Sequence, residues 1–474
     1  MEGDRDNATA LRVTKPPALL LPIEVLQYIF RIVTGQSLSI RNIRLTCRDW
    51  RDLVASDISL PRNIILLLDF RCVDNHQPNS TKWDYCVHNA AGLARALDYI
   101  QDSHFAFHVT LRDTNTKEDW SLVPWFRFSK QCVQFRVDPG YLSSHKYFVT
   151  ILENIPVLHR LKSVKLQGNP LVLTSVLRRI PPNSNVLRSL DLLLFPGDGT
   201  SYDPKSLINE FGHVFYGSRK LVCFQALGLT TNDPLIAFFK LLNDVEELRI
   251  RNELARPEDA DLVHQSVDWK IKPRVLQVGT TLFKVFPPFT LGSLTELHLF
   301  SETTETEYEM THLPTLVDLT LVNSWIALTY IEAPQLKSLH LLGGHVQPDP
   351  LTKSQHLRPA LVEIAGSEKG KEVFISTSPF PGIVELHVRI GIDLISTIGR
   401  LAESLSFDVG KGQPLWLPQL ERLFVILYST PSDDLGRLQQ EISKSIQSRP
   451  RPVEDGGRCP TRCEFGIAST SRLI

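Results

Sequence analysis

Two hydrophobic rhythms run along this chain: a helical one near the start, then an alternating one repeated many times. Pro22 can open a helix, because a first-turn proline gives up an N–H that no carbonyl awaits, and Gly35 suits its stop. At about 100° per residue, the apolar residues of Pro22–Val33 cover an arc of about 220°, roughly twice what a surface helix needs. Glu24, Gln27 and Arg31 fill the remainder. A further helix over Ser39–Val54 sets Ile43, Cys47, Trp50 and Val54 on one face, with Arg41, Arg44, Arg48 and Arg51 on the others. A module of about 40 residues has too little interior to cover both halves of the first arc. One half packs on the later helix; the other calls for a surface from elsewhere. The plain alternative is a helix buried in one large core.

Beyond Pro61 the rhythm changes. Ile64–Phe70 is a continuous apolar run of strand length, the pattern of a strand covered on both faces. Ala90, Leu93, Ala94, Leu97 and Ile100 mark a helix face, and Phe105, Phe107, Val109 and Leu111 alternate as a strand. Strand, helix and strand within this span predict a parallel βαβ unit. A core of Leu-x-x-Leu-x-Leu type then recurs. Its central positions are Val164, Leu190, Leu227, Leu248, Leu276, Leu297, Leu319, Leu339, Ile364, Leu386 and Leu423. Most intervals are about 20–28 residues, the period of a leucine-rich repeat. One copy cannot bury its leucines alone; stacked copies can. The chain resembles that family imperfectly. The Asn the family often carries three residues past the last leucine is matched by Asn169, while Glu253 and Ser324 hold the slot elsewhere. Leu435, Leu438, Ile442 and Ile446 predict a closing helix with Ser432 as N-cap.

The opening module resembles a second family. Leu-Pro-Ile-Glu-Val-Leu-Gln-Tyr-Ile-Phe from Leu21, followed by Leu45-Thr-Cys-Arg-Asp-Trp-Arg, is similar to the F-box pattern in both halves and in order. Thr46 departs from the valine usual there. The likeness extends to the large fungal F-box families with leucine-rich-repeat-like arrays. It implies docking on the Skp adaptor of a Skp–cullin–F-box ubiquitin ligase, and through it on a cullin. The residues it points to are Leu21, Pro22, Ile23, Leu26, Ile29 and Phe30, with Trp50 shared between core and interface.

The expected architecture is α+β: a small three-helix F-box, then an irregular α/β leucine-rich-repeat solenoid with a parallel sheet. The expected divisions are a flexible leader at 1–16, the F-box at 17–60, the array at 61–447 and a mobile tail at 448–474. The 51 Lys and Arg against 52 Asp and Glu give a formal net charge of −1, so no global charge recruits nucleic acid or membrane. Seven scattered cysteines (Cys47, Cys72, Cys86, Cys132, Cys223, Cys459, Cys463) are no disulfide framework, and reduced thiols in cytoplasm or nucleus fit better. Met1–Lys15 lacks the apolar core of a signal peptide, and no apolar run has transmembrane length.

No catalytic constellation stands out, and no cofactor is expected. Gly410-Lys411-Gly412 lacks the rest of a phosphate loop. Cys459-x-x-x-Cys463 is half a zinc site without a second pair. His104 and His108 sit four residues apart on a strand, about 13 Å, too far to share a metal.

The expected function is a receptor that captures an as yet unnamed protein and presents it for ubiquitin transfer, performing no chemistry itself. The alternative is an F-box scaffold that assembles complexes without ubiquitination. For capture, the outward residues between the leucines are the candidates: Glu247, Arg249, Glu296, His298, Asp318, His340, Glu385 and His387. Five carboxylates without Lys or Arg in the column from Glu247 to Glu385 predict an acidic surface for a basic segment, with histidines titrating near neutrality. Outward polar residues are also what solubility alone would produce.

Overall fold

The computed structural model describes residues 25–26, 64–69, 85–100, 104–110, 119–138, 144–181, 186–194, 204–216, 218–224, 232–250, 259–301, 310–343, 348–354, 356–365, 374, 380, 382–390, 417, 419–428, 440, 444 and 462–468. It is a mixed helix and strand structure divided into two compact units, Met1–Lys162 and Ser163–Ile474.

The first unit contains β1 (Ile64–Asp69), β2 (Tyr85–Val87), β3 (Phe105–Thr110) and β4 (Cys132–Asp138), all parallel in the order β2-β1-β3-β4. The apolar run of β1 buries Leu66, Leu67 and Leu68, and all six residues of β3 are buried. This is the doubly covered strand that an unbroken apolar run predicts. Between β2 and β3 runs α1 (Ala90–Ile100), whose Ala90, Leu93, Leu97 and Ile100 are buried. Before α1, the Asn89 side-chain oxygen accepts from the Gly92 amide at 2.6 Å, satisfying an N–H that the helix cannot. Phe128, on α2 (Trp125–Gln131), meets Phe105 and Phe107 edge-on at centroid separations of 5.2 and 4.8 Å. The unit also contains α3 (Ser144–Glu153). The expected βαβ unit is present between β1 and β3, with β2 added at the far side of β1.

The second unit carries β5 (Ser163–Gly168), β6 (Ser189–Leu194), β7 (Lys220–Phe224), β8 (Glu247–Ile250) and β9 (Val275–Gly279). After them come β10 (Glu296–Phe300), β11 (Thr311–His312), β12 (Asp318–Val322), β13 (Ile331–Glu332) and β14 (Ser338–Leu342). The last four are β15 (Leu361–Ala365), β16 (Glu385–Ile390), β17 (Arg422–Tyr428) and β18 (Arg462–Ala468). All but β11 and β13, which pair with each other, lie side by side in chain order in one parallel sheet.

The pairing register is the structural fact on which the site rests. One inward row reads Val164, Leu190, Leu221, Leu248, Leu276, Leu297, Leu319, Leu339, Val362, Leu386 and Leu423, with Cys463 opposite Leu423. Every member from Val164 to Leu423 is buried. Helix Pro170–Leu177 packs against β5 and β6, capped by Asn169, whose side-chain oxygen accepts from the Val172 amide at 3.1 Å. Ser324, in the slot where the repeat family favours Asn, is buried and donates its hydroxyl to the Leu299 carbonyl at 3.2 Å. A shorter side chain thus ties the loop to the neighbouring strand β10.

Three expectations change. The repeat read at Phe224-x-x-Leu227-x-Leu229 lies earlier: by register Leu221 and Cys223 stand beside the inward Leu190 and Leu192, a cysteine taking the place the pattern assigns to leucine. The repeat centred on Ile364 is shifted by two, because Val362 takes the central place. Within the span expected as a mobile tail, Arg462–Ala468 forms β18, parallel to β17, its alternating Cys463, Phe465 and Ile467 supplying a strand pattern. Of the helix expected over Leu435–Ile446, the described residues Gln440 and Lys444 are helical. The expected leader at 1–16 lies outside the described residues.

Past β12 and β14 the chain turns with positive φ, 55° at Asn323 and 67° at Gly343. A Cβ on Gly343 would overlap the Asn323 side-chain oxygen, and the left-handed backbone disfavours any L side chain there. Gly343→Ala is therefore expected to cost about 1–3 kcal/mol, read as a lower denaturation midpoint at unchanged slope.

Candidate interaction site

The outward face of the second unit is half-buried, as the alternation along β5, β8 and β10 shows. Corrected for register, its first column reads Lys220, Glu247, Val275, Glu296, Asp318, Ser338, Leu361, Glu385 and Arg422 across β7–β17. The next column reads Val222, Arg249, Gln277, His298, Thr320, His340, Glu363, His387 and Phe424. The structure brings all eight candidate residues onto this face. It adds Lys220 to the first column and moves Glu363 from the first column, where the repeat centred on Ile364 had put it, to the second.

The acidic surface expected here is a charge-balanced ladder. Glu247 meets Lys220 at 2.7 Å and Arg249 at 2.6 Å, and Arg249 reaches on to Glu296 at 3.6 Å. Glu296 contacts His298 at 2.6 Å, and Glu385 contacts His387 at 2.6 Å and Arg422 at 2.5 Å. Glu363 lies between His340 at 2.7 Å and Arg389, and His340 also faces Asp318 at 3.6 Å. The reason is strand spacing. Parallel neighbours lie about 4.8 Å apart, so a carboxylate meets cations on the next strands that its own strand does not show. Lys220, Arg389 and Arg422 are the residues a strand-by-strand reading leaves out of the site. Their signal was an Arg or Lys at an outward position one strand away.

His340 is the centre of the ladder. Nε2 faces Asp318 and Nδ1 faces Glu363, and an imidazole can donate from both nitrogens only when protonated. Asp318 and then Glu363 push its pKa from 6.5 up to about 9, against partial burial. The expected switch near neutrality is therefore absent at this residue: the opposing carboxylates keep it charged. His340 in turn holds the Glu363 carboxyl below its ordinary value, with Arg389 adding to that effect against burial. Burial raises the Glu247 carboxyl, but Lys220 and Arg249 together outweigh it and hold it low.

At the other end of the chain, Leu26 is helical and buried, while its neighbour Val25 is 41 % exposed. Leu26, one of the residues expected to meet the adaptor, is thus buried in the free chain. Leu21, Pro22, Ile23, Ile29, Phe30 and Trp50 lie outside the described residues. His108 is buried within β3 and His104 contacts Arg160 at 2.8 Å. Among the described residues no group of three or more His, Cys, Asp or Glu could hold a metal ion. Among them, too, no helix is long and apolar enough to cross a membrane.

Residues 19–62 match the F-box domain family, so the chain carries an F-box domain. That is the stretch where the Leu-Pro-Ile-Glu and Cys-Arg-Asp-Trp half-motifs fall. No curated protein matches the chain.

His340 gives a test of the ladder. Its raised pKa means that the unfolded chain binds fewer protons than the folded one between about pH 6.5 and 9. Its stabilisation is full below about 6.5 and falls as pH rises through about 9. The pair is partly solvated, so the contribution is about 1 kcal/mol. His340→Gln should lower stability by about that amount at pH 6 and flatten the decline between pH 6.5 and 9, read from denaturant unfolding across pH.

Proposed function

We propose that this chain is a substrate receptor of a Skp–cullin–F-box ubiquitin ligase. Residues 19–62 dock on the Skp adaptor, and the adaptor connects the chain to a cullin. The second unit, a leucine-rich-repeat-like array, holds a captured protein for ubiquitin transfer on its outward face. The chain performs no chemistry itself and works in cytoplasm or nucleus. The observation that carries the reading is the F-box match over residues 19–62. Two features support it. The first helix has an apolar arc wider than a small module can cover. The array sets its outward side chains in ordered columns, the arrangement by which repeat proteins present extended binding surfaces.

Leu21→Ala combined with Pro22→Ala tests the docking. Loss of a buried interface anchor costs about 2 kcal/mol or more, so co-purification with the Skp adaptor should be lost while unfolding of the array is unchanged. Undiminished adaptor binding would overturn the docking assignment. Reconstituted ligase then separates receptor from scaffold: a receptor's captured protein gains ubiquitin in an F-box-dependent manner, and a scaffold's does not.

A further inference from the structure

One column further along the strands, the outward face is apolar on four neighbouring strands. Phe300, Val322, Leu342 and Ala365 are consecutive register partners on β10, β12, β14 and β15. All four are half-buried. Beside this row runs the polar row His298, Thr320, His340 and Glu363, of which His298, His340 and Glu363 are tied into the ion-pair ladder. We propose that the row Phe300–Val322–Leu342–Ala365 is the seat for one amphipathic helix of the captured protein, lying across the strands. This deepens the receptor reading and rests on it.

Three observations select that occupant. The first is spacing. Four parallel strands about 4.8 Å apart place Phe300 and Ala365 about 14 Å from each other. A helix offers one side chain per turn, every ~5.4 Å, and so spans three steps in about 16 Å. An extended segment offers alternate side chains every ~6.7 Å and needs about 20 Å. The helix keeps its contacts in step with the row; the extended segment does not.

The second is hydrogen bonding. β10, β12, β14 and β15 each pair with a strand on both sides. Their backbone groups are committed, so this face cannot take up an added strand. An extended segment lying here gains no backbone pairing from the sheet, whereas a helix brings its own backbone hydrogen bonds with it.

The third is charge. Glu296, Asp318, Glu363 and Glu385 already face cations of their own chain. A basic segment would have to displace those cations, losing about what it gained. The ladder therefore does not select a charged partner, and recognition falls to the apolar row. The occupant carries a narrow apolar seam at i, i+3 or i+4, and i+7, with a flank of low net charge.

The test uses the full-length chain bound to the Skp adaptor, with a photo-crosslinking amino acid placed in turn at Phe300, Val322 and Leu342. The expected result is that all three positions react with one segment of one captured protein, at residues three or four apart and in the order of the strands. A synthetic peptide of that segment should bind the full chain with affinity changing less than about twofold between low and high salt. Leu342→Asp should weaken it by about tenfold or more. Val322→Thr, which keeps the shape and adds a hydroxyl, should weaken it several-fold and serves where Leu342→Asp loses cooperative unfolding. Cross-links two residues apart, cross-links scattered over unrelated segments, no cross-link at all, or binding that collapses in high salt would each overturn the helix seat. Should the cross-links keep the helical spacing while ubiquitin transfer fails, the receptor reading falls and the helix seat stands.

Discussion

The register of the parallel strands in the second unit is the constraint from which the rest follows. A one-residue slip in any strand would turn its buried leucines outward and its charged residues into the core. The burial of the inward row from Val164 to Leu423 therefore fixes where every outward side chain stands. Fully burying a leucine contributes about 1.5–3 kcal/mol, and half-exposed ion pairs contribute about 0–1 kcal/mol each. The inward rows set the alignment. The outward charges inherit it and pair because it brings them together.

That inheritance changes what the outward face can do. Taken one strand at a time, Glu247, Glu296, Asp318 and Glu385 describe an acidic column. Assembled, they stand against Lys220, Arg249, His340 and Arg422. His340, held protonated by Asp318 and Glu363, counts among the cations well above neutrality. Each of these carboxylates thus faces a cation of its own chain, and in the seat we propose the partner is recognised by the neighbouring row of Phe300, Val322, Leu342 and Ala365. The F-box match, on which the proposed docking rests, falls in a different part of the chain, residues 19–62.

Much of the fold was legible where apolar residues are large and regularly spaced. The run at Ile64–Phe70, the helix face from Ala90 to Ile100 and the strands at Leu297, Leu319 and Leu339 follow directly from side-chain period. The misread repeats share one cause: Cys223 and Val362 occupy places that a leucine-centred pattern assigns to leucine. β18 was hidden because Arg462–Ala468 lies in a span rich in Arg, Pro and Gly, and its register is set by β17 rather than by its own sequence. The ladder was the least legible part. Cross-strand neighbours are about 20–30 residues apart in a repeat of this kind, so the partners of a given carboxylate depend on register to within one residue. Once Leu221 and Val362 are aligned, Lys220 and Glu363 fall into place beside Glu247 and His340.

We place docking and capture on separate parts of one chain, and hydrogen–deuterium exchange on the full chain, alone and with the Skp adaptor, can separate them. Exchange should slow on adaptor binding within residues 19–62, with β5 to β17 exchanging as in the free chain. Protection spread along the strands of the second unit, or none within residues 19–62, would contradict it.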